Sequence, residues 1–279
     1  MGIALLIILI KKEGAMLPTI DIFGKDLPMY AIFALIGILI AGTAFCVYID
    51  KCGYDNNRAI VFLLFVGLGV VIGGHTLYAI TNINKFYLLG STQSFTHFLS
   101  IIGVLFGGSV FYGGLIGALI AGFIYIKVTK MPIDIYMDGC AFFAPLFHSF
   151  ARIGCFFAGC CYGIESSFGF ICERNENIEL STVRRFPVQL LESFENLIIL
   201  LVVVILMRRK KQKGGLFYIY LILYTILRFI NEFLRGDEIR GFVFGMSTSQ
   251  LISILIFIAS STLLVLHNIK TKNNKKANT

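Results

Sequence analysis

The sequence predicts an all-α membrane protein with about seven transmembrane helices around a lipid-accessible central cavity. Composition carries the class: of 279 residues, 57% are hydrophobic and only 14% charged, and the mean hydropathy is +0.83. A soluble domain of this size cannot hide that much apolar surface, so the bilayer must solvate most of it. Distribution carries the helix count. The apolar residues fall in runs of about 17–25, the length that crosses roughly 30 Å of hydrocarbon as a helix. The cavity follows from Arg152 and Arg228, which lie inside two of these runs. An ionised side chain near the bilayer centre costs at least about 2.5–3.5 kcal/mol, so two of them point to an internal pocket for something anionic.

Taken in order, the chain opens with an arm, 1–28, expected outside or on the membrane surface. Its apolar stretch Met1–Ile10 is too short to span, lacks a basic start and is followed by Lys11-Lys12. That order reverses the flanks of a cleavable signal peptide. The polytopic domain, 29–267, holds spans expected near 29–49, 59–80, 101–126, 135–157, 189–207, 215–235 and 248–267. Exterior segments at 81–100 and 158–188 join spans on one side. Short loops and a basic tail, 268–279, lie on the other. That second side carries 13 Lys and Arg, including Arg208-Arg209-Lys210-Lys211, against 8 in the longer segments opposite. By the positive-inside rule the C-terminus is cytoplasmic and the N-terminus outside. The net charge of +8 is thereby read as topology, and no nucleic-acid partner is expected.

Glycine marks irregular backbone. Gly107, Gly108, Gly113 and Gly114 crowd the third span, where a broken or re-entrant helix is tolerated only against protein or around a cavity. Gly117 and Gly122 continue into a regular helix and read as close helix packing. On the sixth span Tyr224, Arg228, Glu232 and Arg235 follow at intervals of four, four and three, and so share one helix face. Glu232 can pair with either arginine, and one carboxylate between two guanidiniums leaves positive charge over. Asp138 stands fourteen residues before Arg152, nearly four helical turns away, too far to pair directly. A guanidinium presents a rigid fork of donors that stays charged when desolvated and suits a phosphate. Arg152 and Arg228 together would hold a phospholipid headgroup.

Arg152 also lies in His148-Ser149-Phe150-Ala151-Arg152-Ile153-Gly154-Cys155-Phe156-Phe157-Ala158-Gly159-Cys160-Cys161-Tyr162-Gly163. This segment resembles the signature of the prolipoprotein diacylglyceryl transferase family, in a cysteine-rich variant. The resemblance extends along most of the chain. Tyr30 matches the tyrosine that opens the family's first span, and Gly73-Gly74-His75 falls where the family has Gly-Gly/Ala-Arg. Tyr112-Gly113-Gly114-Leu115-Ile116-Gly117 resembles its His-Gly-Gly-Leu-x-Gly element, and Pro187-Val188-Gln189-Leu190-Leu191-Glu192 its His-Pro-x-Gln-Leu-Tyr-Glu element. The Tyr224 to Arg235 stripe and Ser249-Gln250 match its last two spans.

The resemblance implies a multi-pass enzyme of the bacterial cytoplasmic membrane. It would move the diacylglyceryl group of phosphatidylglycerol to the lipobox cysteine thiol of a prolipoprotein, forming a thioether and releasing glycerol phosphate. Phosphatidylglycerol, the lipobox peptide and membrane lipids are the implied partners; no metal and no cofactor is implied. Catalytic roles fall on Arg152, Arg228, Tyr112 and Tyr224. Substrate contacts fall on Arg152, Tyr30, Gly154, Gly163, His75, Glu232, Arg235, Gly113 and Gly114.

Three departures from the family pattern bear on activity. Tyr112 stands where many members have a histidine regarded as the base; tyrosine, with a pKa of about 10, is mostly protonated at neutral pH and can equally donate to the phosphate. His75 replaces an arginine and is the alternative base. Cys155, Cys160 and Cys161 stand where the better-known motif has Asn and Glu. Packing, a disulfide to Cys172 and metal ligation are the readings for these cysteines, although adjacent cysteines are poor co-ligands. Two other functions stay open: a catalytically altered paralogue that binds phospholipid or modifies another acceptor, and an anion transporter. A transporter predicts internal repeats, and the two halves of the chain show none.

Overall fold

A computed structural model describes residues 18–85, 94–171, 182–209, 214–237, 242–243 and 245–277. The expectations for Met1–Ile10, Cys172, Lys210 and Lys211 lie outside these residues. Among the described residues eight α-helices are seen: α1 (Met29–Lys51), α2 (Asn56–Thr81), α3 (Phe95–Phe106), α4 (Phe111–Thr129), α5 (Ile133–Ala158), α6 (Val188–Arg208), α7 (Leu216–Asn231) and α8 (Thr248–Ala277). Seven stretches are long and apolar enough to cross a membrane, and the short α3 is not among them. The expected class of multi-pass helical membrane protein is what the chain forms.

The third span is interrupted where its glycines crowd, as the irregular-backbone reading of that stretch expects. Instead of one helix over 101–126, α3 ends at Phe106 and α4 begins at Phe111, with the break at Gly107-Gly108-Ser109-Val110. Polar partners supplied by α2 satisfy the interrupted backbone: Val110 N–H donates to Gly74 O at 3.1 Å, and His75 Nδ1 lies 2.6 Å from Phe106 O. Such a break is tolerated at membrane depth because protein, not lipid, meets the freed groups.

The helices belong to two compact units, one of residues 46–136 and one of 1–45 with 137–279. In the 46–136 unit α2 and α4 cross at backbone contact. A Cβ on Gly69 would strike the Gly117 carbonyl, and one on Gly73 the Gly113 carbonyl; the reverse clashes hold too. Small residues let membrane helices approach this closely and recover dispersion energy that larger side chains would prevent. Toward the other end Tyr125 OH donates to Arg58 O at 3.0 Å. There the Phe62 ring packs edge-on to Tyr125 and Tyr136.

The second unit opens with strands β1 (Thr19–Ile22) and β2 (Lys25–Pro28), paired antiparallel across Phe23-Gly24. Both turn residues have positive φ, 56° and 75°, as a two-residue hairpin requires. Further short strands, β3 (Glu165–Phe170), β4 (Phe242–Val243) and β5 (Met246–Ser247), occur in the links. Hydropathy reports only membrane-length runs, so these small elements left no trace in the span pattern. Against α1, the glycines of α5 and α1 set the spacing: a Cβ on Gly37 would sit 2.9 Å from Phe150 Cβ, and one on Gly154 3.1 Å from Tyr30 Cα. Asp138 of α5 anchors the start of α7. Its carboxylate accepts from Gly214 N–H at 2.7 Å and Leu216 N–H at 2.9 Å. These are orphan donors of a helix N-terminus, and the negative charge complements the helix dipole there.

Candidate active site

Helix α6, apolar over its second half up to Arg208, buries Gln189, Glu192, Ser193 and Asn196 in its first, spaced by three, one and three residues. That spacing places all four on one face. Ser193 meets Ser149 of α5, with the two hydroxyl oxygens 2.8 Å apart, while Gln189 Nε2 donates to Cys160 O at 2.8 Å. Between them Glu192 is the hub. Its carboxylate lies 2.5 Å from Arg152 Nε, 3.7 Å from Arg228 Nη1 and 3.6 Å from Arg235 Nη1. Three guanidiniums therefore converge on one buried carboxylate.

This corrects the expectation that Glu232 is the residue shared between Arg228 and Arg235. Glu232 pairs with Arg228 at 2.7 Å, and Arg235 makes a two-point contact with Asp237 at 3.0 and 2.9 Å. The reason lies in the backbone. Helix α7 ends at Asn231, Glu232–Leu234 form a 3-10 turn, and Arg235 is extended. The helical face that would have carried Arg235 stops one turn short. Burial works against the charge on Arg235, but the Asp237 hydrogen bonds and Glu192 outweigh it and hold the guanidinium above its ordinary pKa.

Arg152, Arg228 and Arg235 are matched by Glu192, Glu232 and Asp237, so formal charge balances. Donor capacity does not. Each guanidinium has five N–H donors, and among the described residues Arg228 Nη1 has no hydrogen-bond partner. Arg228 Nη2 reaches Ser249 Oγ at 2.9 Å, fixing the fork against α8. Tyr224 stacks on Tyr220 and lies against His148, with ring centroids 5.9 and 5.3 Å apart. His148, Tyr224, Glu192 and Arg228 surround a void of about 10 Å³, room for about one water.

Beyond α5 the chain turns sharply. Gly159 and Cys161 have φ of 68° and 57°, and the sulfur atoms of Cys155, Cys160 and Cys161 all come within 4.8 Å of one another. Arg152 Nη1 is 4.0 Å from Cys155 Sγ. Gly163 follows, bridged to Arg235 and wedged so that a Cβ would strike Phe186 O. Its position is one of backbone packing, as is that of Gly154 beside Tyr30.

The remaining expected site residues belong to the 46–136 unit. Gly113 and Gly114 face α2 across the helix crossing, against Gly73 and Val70. His75 is bound to the Phe106 carbonyl. A carbonyl only accepts, so the imidazole proton sits on Nδ1 and a neutral ring keeps its lone pair on Nε2. Tyr112 lies at the start of α4, 37% exposed. Sequence reasoning did not single out the hub Glu192 or Asp237 as site residues. Glu192 had a signal, the polar stripe within an apolar span; Asp237, in a link, had none.

The sequence matches the family model for prolipoprotein diacylglyceryl transferase over residues 19–266. Relatives include the phosphatidylglycerol–prolipoprotein diacylglyceryl transferase of Clostridium tetani, 30% identical over 85% of this chain and 92% of that one. Transferase 2 of Clostridium perfringens is 31% identical over 92% and 96%, and the Campylobacter jejuni transferase is 32% identical over 86% and 89%. With its motifs, its seven membrane-length helices and matches of this extent, the chain belongs to the prolipoprotein diacylglyceryl transferase family.

Proposed function

We propose that the protein transfers the diacylglyceryl group of phosphatidylglycerol to the cysteine thiol of prolipoproteins, forming a thioether and releasing glycerol phosphate. One observation carries this reading beyond the family match: Arg152, Arg228 and Arg235 meet at a single buried carboxylate, while Arg228 Nη1 has no hydrogen-bond partner among the described residues. Glu192 holds mutually repelling cations together without satisfying all their donors. A phosphodiester takes the Arg228 donor that has no hydrogen-bond partner among the described residues, with the Arg152 guanidinium beside it across Glu192. As the carbon–oxygen bond breaks, charge grows on the leaving phosphate oxygen, and preorganised donors of this kind contribute about 3–4 kcal/mol each. Arg235 and Glu232 keep the two forks in place.

The acceptor is a lipobox cysteine presented beside the membrane. The charge asymmetry of the links supports a site open to the outer leaflet of a bacterial cytoplasmic membrane, with the 1–28 arm and segments 81–100 and 158–188 outside and the 268–279 tail in the cytoplasm.

Purified protein in phosphatidylglycerol vesicles, given a lipobox peptide, tests the reading. The expected result is a thioether-linked diacylglyceryl peptide with one glycerol phosphate released per peptide. Lipid binding with no product would instead mark a catalytically altered paralogue, the reading that tyrosine at position 112 favours. Anion flux with no product would mark a transporter.

A further inference from the structure

The three thiols beside Arg152 have no role in phosphate binding. Their convergence is built by the backbone. Side chains of adjacent residues in a regular segment diverge, which makes neighbouring cysteines poor co-ligands; here Cys161 adopts φ 57°, a conformation that disfavours side chains, and its sulfur returns to Cys155 and Cys160. The turn is clamped from outside. Gln189 Nε2 holds Cys160 O at 2.8 Å, and Tyr162 O accepts from Gly236 N–H at 3.1 Å. Burial is graded: Cys155 is buried, Cys161 intermediate and Cys160 exposed. Three sulfurs thus converge from the buried Cys155 to the exposed Cys160.

Three thiolates with an open position form a ligand set for a zinc-class cation. Zinc–sulfur bonds of about 2.3 Å place sulfurs about 3.8 Å apart in a tetrahedron, within small side-chain adjustments of the spacing seen. The transferase reading, on which this inference rests, requires a thiolate nucleophile. An ordinary thiol is only about 3% ionised at pH 7, whereas a thiol bound to zinc loses its proton outright.

We propose that Cys155, Cys160 and Cys161 bind a zinc-class divalent cation whose fourth position coordinates the acceptor cysteine of the prolipoprotein. The acceptor S–H proton passes to water as the sulfur binds. A sulfur electron pair then attacks the glycerol carbon that bears the phosphate ester. The carbon–oxygen bond breaks with its electron pair on oxygen, and glycerol phosphate leaves held by Arg152 and Arg228. The thioether product is neutral, a weak ligand, and dissociates. Arg152 links the two halves of the site, with Nη1 4.0 Å from Cys155 Sγ and Nε on Glu192. The resemblance implies no metal, and this inference departs from it at the cysteines.

Metal content and cobalt spectroscopy test the site independently of turnover. The full chain, purified without chelator, is expected to hold about one zinc per molecule. Cobalt substitution should give thiolate-to-cobalt charge-transfer bands that shift on adding a lipobox peptide but not its Cys→Ser form. Cys161→Gly suits the positive φ and preserves the turn, yet should lose metal and bands, and slow thioether formation at pH 7 by about 30-fold, the ratio of full to 3% ionisation. Its residual rate should rise about tenfold per pH unit below the thiol pKa, while the wild-type rate stays flat. Cys52→Ser, at an exposed thiol in the other unit, should change none of these. Metal retained by Cys161→Gly, or full transfer by a metal-free chain indifferent to chelation, overturns the inference and leaves the transferase reading intact. A metal-loaded wild type that makes no thioether removes the transferase reading and leaves the ligand set standing.

Discussion

Glu192→Gln removes the charge on which three guanidiniums converge. At an effective dielectric near 20, unit charges at the observed 2.5–3.7 Å attract by about 4–7 kcal/mol per pair before desolvation is subtracted. Arg228 keeps Glu232 and Ser249, and Arg235 keeps Asp237. Arg152 loses the carboxylate nearest its Nε. Breaking a buried pair by removing one partner costs about 3–5 kcal/mol, and the glutamine oxygen retains one acceptor, so about 3 kcal/mol is expected. For a chain of this size that lowers Tm by roughly 6–12 °C, measurable by circular dichroism in lipid nanodiscs. Adding Arg152→Met removes the stranded cation and should recover about 1–3 kcal/mol as coupling in the double-mutant cycle. A Tm within 2 °C of wild type, or no coupling, would refute the idea that Glu192 holds the arginine cluster together.

Three further outcomes follow from the geometry. Asp138→Asn weakens two backbone hydrogen bonds at the start of α7 and should lower stability by about 1–3 kcal/mol, read by the same unfolding assay. Gly117→Ala sets a methyl against the Gly69 carbonyl and should cost about 1–3 kcal/mol, whereas Gly122→Ala, with 3.4 Å to its nearest neighbour, should cost far less. Tyr112→Phe removes the hydroxyl while keeping the ring. A fall in product formation of about 10-fold or more, measured with the lipobox peptide, marks a proton-transfer or phosphate-donor role, and unchanged turnover moves that role to His75 or to the metal-bound thiol.

Hydropathy made the membrane helices legible because each must be apolar along its whole length. Hydropathy alone did not divide 101–126, and it was the crowded glycines that marked the break; its partners, α2 groups that meet Val110 N–H and the Phe106 carbonyl, lie more than thirty positions away and were not legible. Arg152 and Arg228 stood out because their cost in lipid is high wherever they lie. Which carboxylate they meet was not legible. Spacing pointed to Glu232 for both Arg228 and Arg235, but the 3-10 turn after Asn231 withdraws Arg235 from that face, and Glu192 comes from a different helix. Asp138 was visible as an expensive residue, yet its work is to cap α7 across 76 residues of sequence. The cysteines were legible one by one; their convergence needs a positive φ at Cys161 that residue identity does not announce.

Binding of phosphatidylglycerol to the wild type, to Arg152→Lys and to Arg228→Lys bears most directly on the phosphate site. Lysine keeps the charge and loses the fork, so each variant should bind about 10- to 100-fold more weakly, the loss of about 1.5–3 kcal/mol of charge-assisted hydrogen bonding. Equal affinity in all three proteins would contradict a headgroup held by the two guanidiniums.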